Sequence, residues 1–181
     1  MLCMAVGCGR DVPPAGETVR AHFDGLAAAE MQVKILSDFG ESALEYQVDY
    51  EYNKEDNDLL TVTAPAGIAG VQVELSGAHA DAFTLRYAGA ALQFDADAVP
   101  GMTPADAIAG LMYDLRAGEP AEVGTEDVEG VKAVTLHYET ADRQPALEKT
   151  VWIDPETFAP LYAELYCDGQ RQLALTFQQF Q

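Results

Sequence analysis

The pattern of this sequence predicts a mainly β, α+β fold: one long antiparallel sheet that curls on itself, with two helices available to fill its apolar face. Three observations lead there. Apolar and polar residues alternate over most of the chain, the period of a strand with one buried and one wet face. Gly, Ala, Asn and Asp interrupt these runs at short intervals, the punctuation of a meander. Two stretches switch to helical spacing, and a sheet of about ten or eleven strands rarely stays flat.

The first helix is expected within Thr18–Glu30, where Val19, Phe23, Leu26 and Ala27 share a face and Thr18 is placed to cap. From Glu30 the period becomes two. Met31, Val33 and Ile35 form one run, and Leu44, Tyr46, Val48, Tyr50 and Tyr52 the cleanest one, alternating with Glu45, Gln47, Asp49 and Glu51. Asn53 to Asp58 reads as a turn. Leu60-Val62-Ala64, Val71-Val73-Leu75, Phe83-Leu85-Tyr87 and Leu92-Phe94 continue the meander. A second helix is expected from Thr103-Pro104, with Ile108, Leu111, Met112 and Leu115 as its stripe and Gly118 and Pro120 as its end. Four or five strands then follow, roughly, among them Val134-Leu136-Tyr138, Thr150 to Asp154, Leu161 to Cys167 and Leu173 to Phe177. Asp154-Pro155 and Asp168-Gly169 mark turns, the latter a strong hairpin signal.

Charge excludes one class of function. The 181 residues carry 30 Asp and Glu against 10 Lys and Arg, a net −20. Phosphate backbones repel such a chain, so nucleic acid is not its partner. No run reaches the roughly 18 apolar residues of a membrane span. The acids are scattered along every strand, the pattern of a solubilising surface more than of one binding face.

The N-terminal residues suggest an address. Ala5-Val6-Gly7-Cys8, after a short uncharged segment, resembles a bacterial lipobox, in which the cysteine is acylated and the preceding residues are removed. Ala5 stands where a larger aliphatic residue is usual, and the missing basic segment leaves room for a longer precursor upstream. The expected organisation is a signal-peptide remnant over 1–8, a Gly/Pro-rich tether over 9–17 and one domain over 18–181. Localisation is then extracytoplasmic, with Cys8 carrying the lipid and the membrane contacted through that anchor only. Cys167 is left without a disulfide partner.

Catalytic signatures are missing from the sequence. His22, His79 and His137 lie far apart, and no metal-ligand spacing, nucleophile elbow or phosphate loop occurs. Asn53 to Asp58 lacks the alternating acids and central Gly of a calcium loop. No enzyme activity, metal or cofactor is implied.

One stretch carries a resemblance. Trp152-Ile-Asp-Pro-Glu-Thr-Phe-Ala-Pro-Leu-Tyr162 with Ala163-Glu164 and Asp168-Gly169, together with Tyr46–Tyr52 and Ala64-Pro65-Ala-Gly-Ile-Ala-Gly70, resembles the LolA/LolB-like lipoprotein-carrier superfamily, and within it the branch of germination lipoproteins, GerS. The resemblance runs from about residue 18 to the end. It implies a curved, unclosed β-barrel with the N-terminal and mid-chain helices on its concave face. It also implies a non-enzymatic role: accessory factor for an envelope or spore-cortex protein such as an amidase, or carrier of an acyl-chain ligand. For the carrier role the candidate lining residues are Tyr46, Val48, Tyr50, Leu60, Val62, Val73, Leu85, Phe94, Leu111, Met112 and Leu115. Each of them is equally an ordinary core position. Cys8 favours a tethered protein over a shuttle.

Overall fold

The computed structural model describes residues 16–40, 42–76, 82–95, 101–140 and 144–181. Cys3, Cys8, His79 and most of the tether lie outside these residues. Helix α1 spans Gly16–Gly25 and α2 spans Ala107–Ala117. Six strands lie between them: β1 Ala28–Phe39, β2 Ser42–Asn53, β3 Asp58–Ala64, β4 Gln72–Ser76, β5 Ala82–Tyr87 and β6 Ala90–Asp95. Five follow: β7 Glu122–Val128, β8 Val131–Glu139, β9 Leu147–Ile153, β10 Pro160–Cys167 and β11 Gln170–Phe180.

All eleven form one antiparallel sheet in the order β6-β5-β4-β3-β2-β1-β11-β10-β9-β8-β7. Each half is a meander, and the pairing of β1 with β11 joins the halves. Strands β6 and β7 are the two ends, so the barrel is unclosed. The expected curved half-barrel with two helices is the fold observed.

Alternation decides which face is buried. In β2, Val48, Tyr50 and Tyr52 are buried while Asp49 and Glu51 are exposed. In β1, Met31, Val33 and Ile35 point the same way and pair with Tyr50, Val48 and Tyr46. This apolar face is concave, and α1 and α2 cover it. The first helix contributes Val19 and Phe23, one turn apart. The second contributes Ile108, Leu111, Met112 and Leu115. The two helices also touch each other.

Two element boundaries and one strand differ from the sequence reading. The first helix stops at Gly25, and Ala28 to Glu30 are strand. Residues 27–29 are alanines, good helix formers, but Glu30 exchanges two backbone bonds with Gln181 at 2.9 and 3.0 Å, and Ala29 packs opposite Tyr52. Sheet pairing outweighs intrinsic helix propensity of a few tenths of a kcal/mol per residue, roughly. Thr18 therefore sits inside the helix and caps nothing. The second helix begins at Ala107, not Thr103. Asp106 accepts from the Thr103 N–H at 2.9 Å and hydroxyl at 2.6 Å, which holds 103–106 as a separate turn. Strand β7 escaped the pattern because no residue in it is fully buried.

Three hairpins close on residue pairs with positive φ: Ala88-Gly89, Glu129-Gly130 and Asp168-Gly169. Both central residues are left-handed, the geometry whose twist matches paired strands.

Candidate functional site

The concave face collects the apolar side chains that the sequence offered as a candidate lining, so its filling matters most. A transverse row of apolar side chains crosses the N-terminal half: Tyr50, Leu60, Val73, Leu85 and Leu92 are successive cross-strand partners from β2 to β6. Burial declines along it. Tyr50, Leu60 and Val73 are buried, Leu85 is half-buried, and Leu92 is 58 % exposed.

The strap preceding α2, residues 101–106, roofs part of this face. It is pinned by Asp106, a buried carboxylate that also accepts from the Gly101 N–H at 2.8 Å. Gly101 lies against Gly110 of α2, so closely that a Cβ on Gly110 would sit 2.9 Å from the Gly101 Cα. Under the strap runs a small apolar cleft of about 190 Å³, lined by Tyr46, Val48, Leu60, Val62, Ile68, Val73 and Thr103–Ala105. At the other side of α2, Lys149 of β9 reaches inward and pairs with Asp114 at 2.6 Å.

The eleven candidate residues therefore separate. Tyr46, Val48, Leu60, Val62 and Val73 meet in the cleft. Tyr50, Leu111, Met112 and Leu115 are packed in the helix–sheet core. Leu85 stands next to Val73, outside the cleft lining. Phe94 belongs to β6, opposite Phe83. The sequence reading missed Ile68 and the strap residues Thr103–Ala105, which belong to loops with no periodicity to mark them.

A polar cleft of about 290 Å³ lies between α2 and the β2–β3 turn, with Tyr52, Asn53–Asp58, Tyr113 and Arg116 among its walls. The turn is held by bonds within it and to its neighbours: Asp58 accepts from the Asn53 N–H at 2.7 Å, Asn57 donates to Glu74 of β4 at 2.8 Å, and Lys54 pairs with Asp24 of α1. Among the described residues no group of three or more His, Cys, Asp or Glu is placed to hold a metal ion. The Tyr50 hydroxyl donates to Asp58 at 2.5 Å. Burial pushes the Asp58 carboxyl above its ordinary range, although the bonds from Tyr50 and Asn53 act the other way. A carboxyl raised on folding stabilises the fold below its unfolded pKa, and that contribution is lost as pH rises through the folded value. The stability of the native protein relative to Asp58→Asn is expected to fall as pH rises from about 3 to 7. Urea midpoints of both proteins across that range check it.

The convex face is mostly charged but not uniformly wet. Trp152 donates to Glu126 at 2.9 Å and tilts against Tyr162. Beside them Arg171 bridges Asp38 at 2.9 Å and Glu164 at 3.0 Å. Burial raises the Glu164 carboxyl, but bonds from Arg171, Tyr162 and Tyr166 outweigh it and hold it below the usual range. Its sign is opposite to that of Asp58: Glu164→Gln is expected to destabilise at neutral pH and to matter less as acid protonates the native residue. Trp152 is thus a cross-strand packing residue on the outer face. His137 bonds Thr150 at 3.0 Å on the same face, and Cys167 is a free, half-buried thiol.

Comparison with solved structures bears on the fold. A domain from Vibrio parahaemolyticus named for outer membrane lipoprotein sorting is 12 % identical, with 92 % of this chain and 90 % of that one covered and a TM-score of 0.50. The fold is LolA-like. An uncharacterized conserved protein of Thermus thermophilus is similar to this chain in fold at 10 % identity, with coverage of 90 % and 82 % and a TM-score of 0.54. The GerS lipoprotein, in the structure of its complex with the CwlD amidase of Clostridioides difficile, is 14 % identical over 95 % of this chain and 98 % of that one, with a TM-score of 0.46. No protein-family model and no curated protein matches the sequence. No helix among the described residues is long and apolar enough to cross a membrane.

Proposed function

We propose that this chain is a membrane-tethered, extracytoplasmic lipoprotein that acts without catalysis, as an accessory factor binding another protein of the envelope or the spore cortex, such as an amidase. The observation that carries the reading is the filling of the LolA-like concave face. Two helices insert Val19, Phe23, Ile108, Leu111, Met112 and Leu115 where a carrier would hold its cargo. The apolar cleft under the strap, about 190 Å³, is below the roughly 300–1,000 Å³ of small-molecule sites. Three sets of groups with shifted protonation are engaged in structural pairs: Tyr50 with Asp58, Glu164 with Arg171, Glu74 with Arg86. The tether rests on the lipobox-like Ala5-Val6-Gly7-Cys8.

Crosslinking of the anchored protein in its own membranes, followed by purification and mass spectrometry, tests this. One protein partner recovered at constant ratio is the expected result; recovery of none contradicts the accessory role. Cys8→Ala is expected to shift the protein from the membrane to the soluble fraction, and retention on the membrane contradicts the anchor.

A second reading, carrier of an acyl chain, is favoured by one observation. Tyr46, Val48, Leu60, Val62 and Val73 converge on a single apolar cleft roofed by the strap at 103–105. In that case the strap lifts and the cleft lengthens along the apolar row toward Leu85.

A further inference from the structure

The two ends of the sheet are built differently. Strand β7 carries Glu122, Glu126 and Asp127 on its seven residues, the kind of charge that discourages pairing with another chain. Strand β6 reads Ala-Ala-Leu-Gln-Phe-Asp and has no charge before its last residue. It also ends the apolar row of the concave face, which reaches the edge with Leu92 58 % and Tyr87 45 % exposed. The row therefore runs further than the helices cover it.

Among the described residues no strand pairs with the outer side of β6. The two-residue turn Ala88-Gly89 closes the hairpin on the pair Tyr87 and Ala90. A closing pair of this kind exchanges both its backbone bonds, and so does every second pair beyond it. Leu92 and Phe94 accordingly bond inward to β5. Ala91, Gln93 and Asp95 turn their N–H and C=O groups away from the sheet. Among the described residues no backbone group outside the β5–β6 hairpin bonds to them.

Charge says what would lie there. No lysine or arginine occurs on β6, which ends on Asp95, within a chain of net charge −20. A second copy would bring a like charge to the edge, which is unfavourable. A basic strand would not.

We propose that the free edge of β6 accepts an extended, basic segment of a partner protein as a twelfth strand. This deepens the accessory reading and rests on it. Main-chain bonds to Ala91, Gln93 and Asp95 supply the affinity. Alternate side chains of the segment are apolar and extend the row beyond Leu92. Those between are lysine or arginine and stand on the convex side.

The test uses a blocked heptapeptide alternating lysine with valine and leucine, and two versions of it N-methylated at alternate amides. Both versions keep the charge and the side chains, but only one keeps the N–H groups that face β6. The parent is expected to slow hydrogen exchange at Ala91 and Gln93. One methylated version should bind like the parent and the other at least about tenfold more weakly. Gln93→Pro places a ring on the outward side, a position edge strands tolerate, and should weaken the parent similarly while leaving the circular dichroism spectrum unchanged. Equal binding of both methylated versions, protection elsewhere, no binding of the parent, or a dimer that Gln93→Pro dissociates each overturns the proposal. These outcomes are independent of whether crosslinking recovers a partner, so the edge can fail while the accessory role stands.

Discussion

Leu115→Ala is expected to lower the unfolding free energy by about 2–5 kcal/mol, and Leu111→Ala by a similar amount. Both side chains are fully buried between α2 and the sheet. Truncation there leaves a cavity that the surrounding strands cannot close, because a curved sheet paired on both sides has little freedom to collapse. A loss of this size is a large part of the roughly 5–15 kcal/mol that holds a domain together. Urea or thermal unfolding of the purified domain reads it directly. The contrast is Leu44→Ser, on the same face but 52 % exposed, which should change stability by less than about 0.5 kcal/mol. If Leu111 and Leu115 lined a ligand chamber instead, their truncation would disturb ligand retention and leave the stability of the empty protein nearly intact.

The second large effect concerns Lys149 and Asp114. Lys149 keeps only 12 % of its side-chain surface and Asp114 21 %, with the charged atoms 2.6 Å apart. Lys149→Met keeps the stem that packs near Gly101 and Gly110 but leaves Asp114 without its countercharge. Removing one partner of a fully buried pair costs about 3–5 kcal/mol. With a fifth of Asp114 still wet, a loss of about 2 kcal/mol is expected. Adding Asp114→Leu should recover most of it, since an apolar pair of similar volume replaces a buried ion pair with little penalty. A double-mutant cycle by urea unfolding measures both. Failure of the second substitution to rescue the first would mean that Lys149 acts through contacts other than Asp114.

How far the sequence foretold this structure depends on what periodicity can express. Tyr46 to Tyr52 alternate so cleanly with Glu45 to Glu51 that strand, face and register partners follow from it. Asp168-Gly169 announced its hairpin, but Ala88-Gly89 and Glu129-Gly130 make the same turn with residues whose first member is not a habitual turn former. Strand β7 left no trace because an edge with two wet faces has no buried side to alternate with. Ala28 to Glu30 read as helix, and pairing with Glu51 to Asn53 of β2 and, at Glu30, with the distant Gln181 makes them strand. The candidate site was legible in part for the same reason. A period of two places Val48, Leu60 and Val73 on the concave face, yet it says nothing about what covers them. Whether such a residue walls a cleft, as Val62 does, or packs under a helix, as Tyr50 does, is set by α2 and by a strap whose position depends on one buried carboxylate, Asp106. Lys149 shows the limit from the other side: a lysine in a strand reads as wet, and here it faces inward because Asp114 waits on the helix.

The central claim is that the concave face of this LolA-like sheet is a filled core and not a cargo chamber. The most direct measurement is native mass spectrometry of the protein released gently from its own membranes with any anchor intact. The expected spectrum holds the chain, its covalent modification and complexes with protein, and no lipid held non-covalently. A lipid retained at one equivalent per chain, and lost on filling the cleft with Val62→Trp, would contradict it.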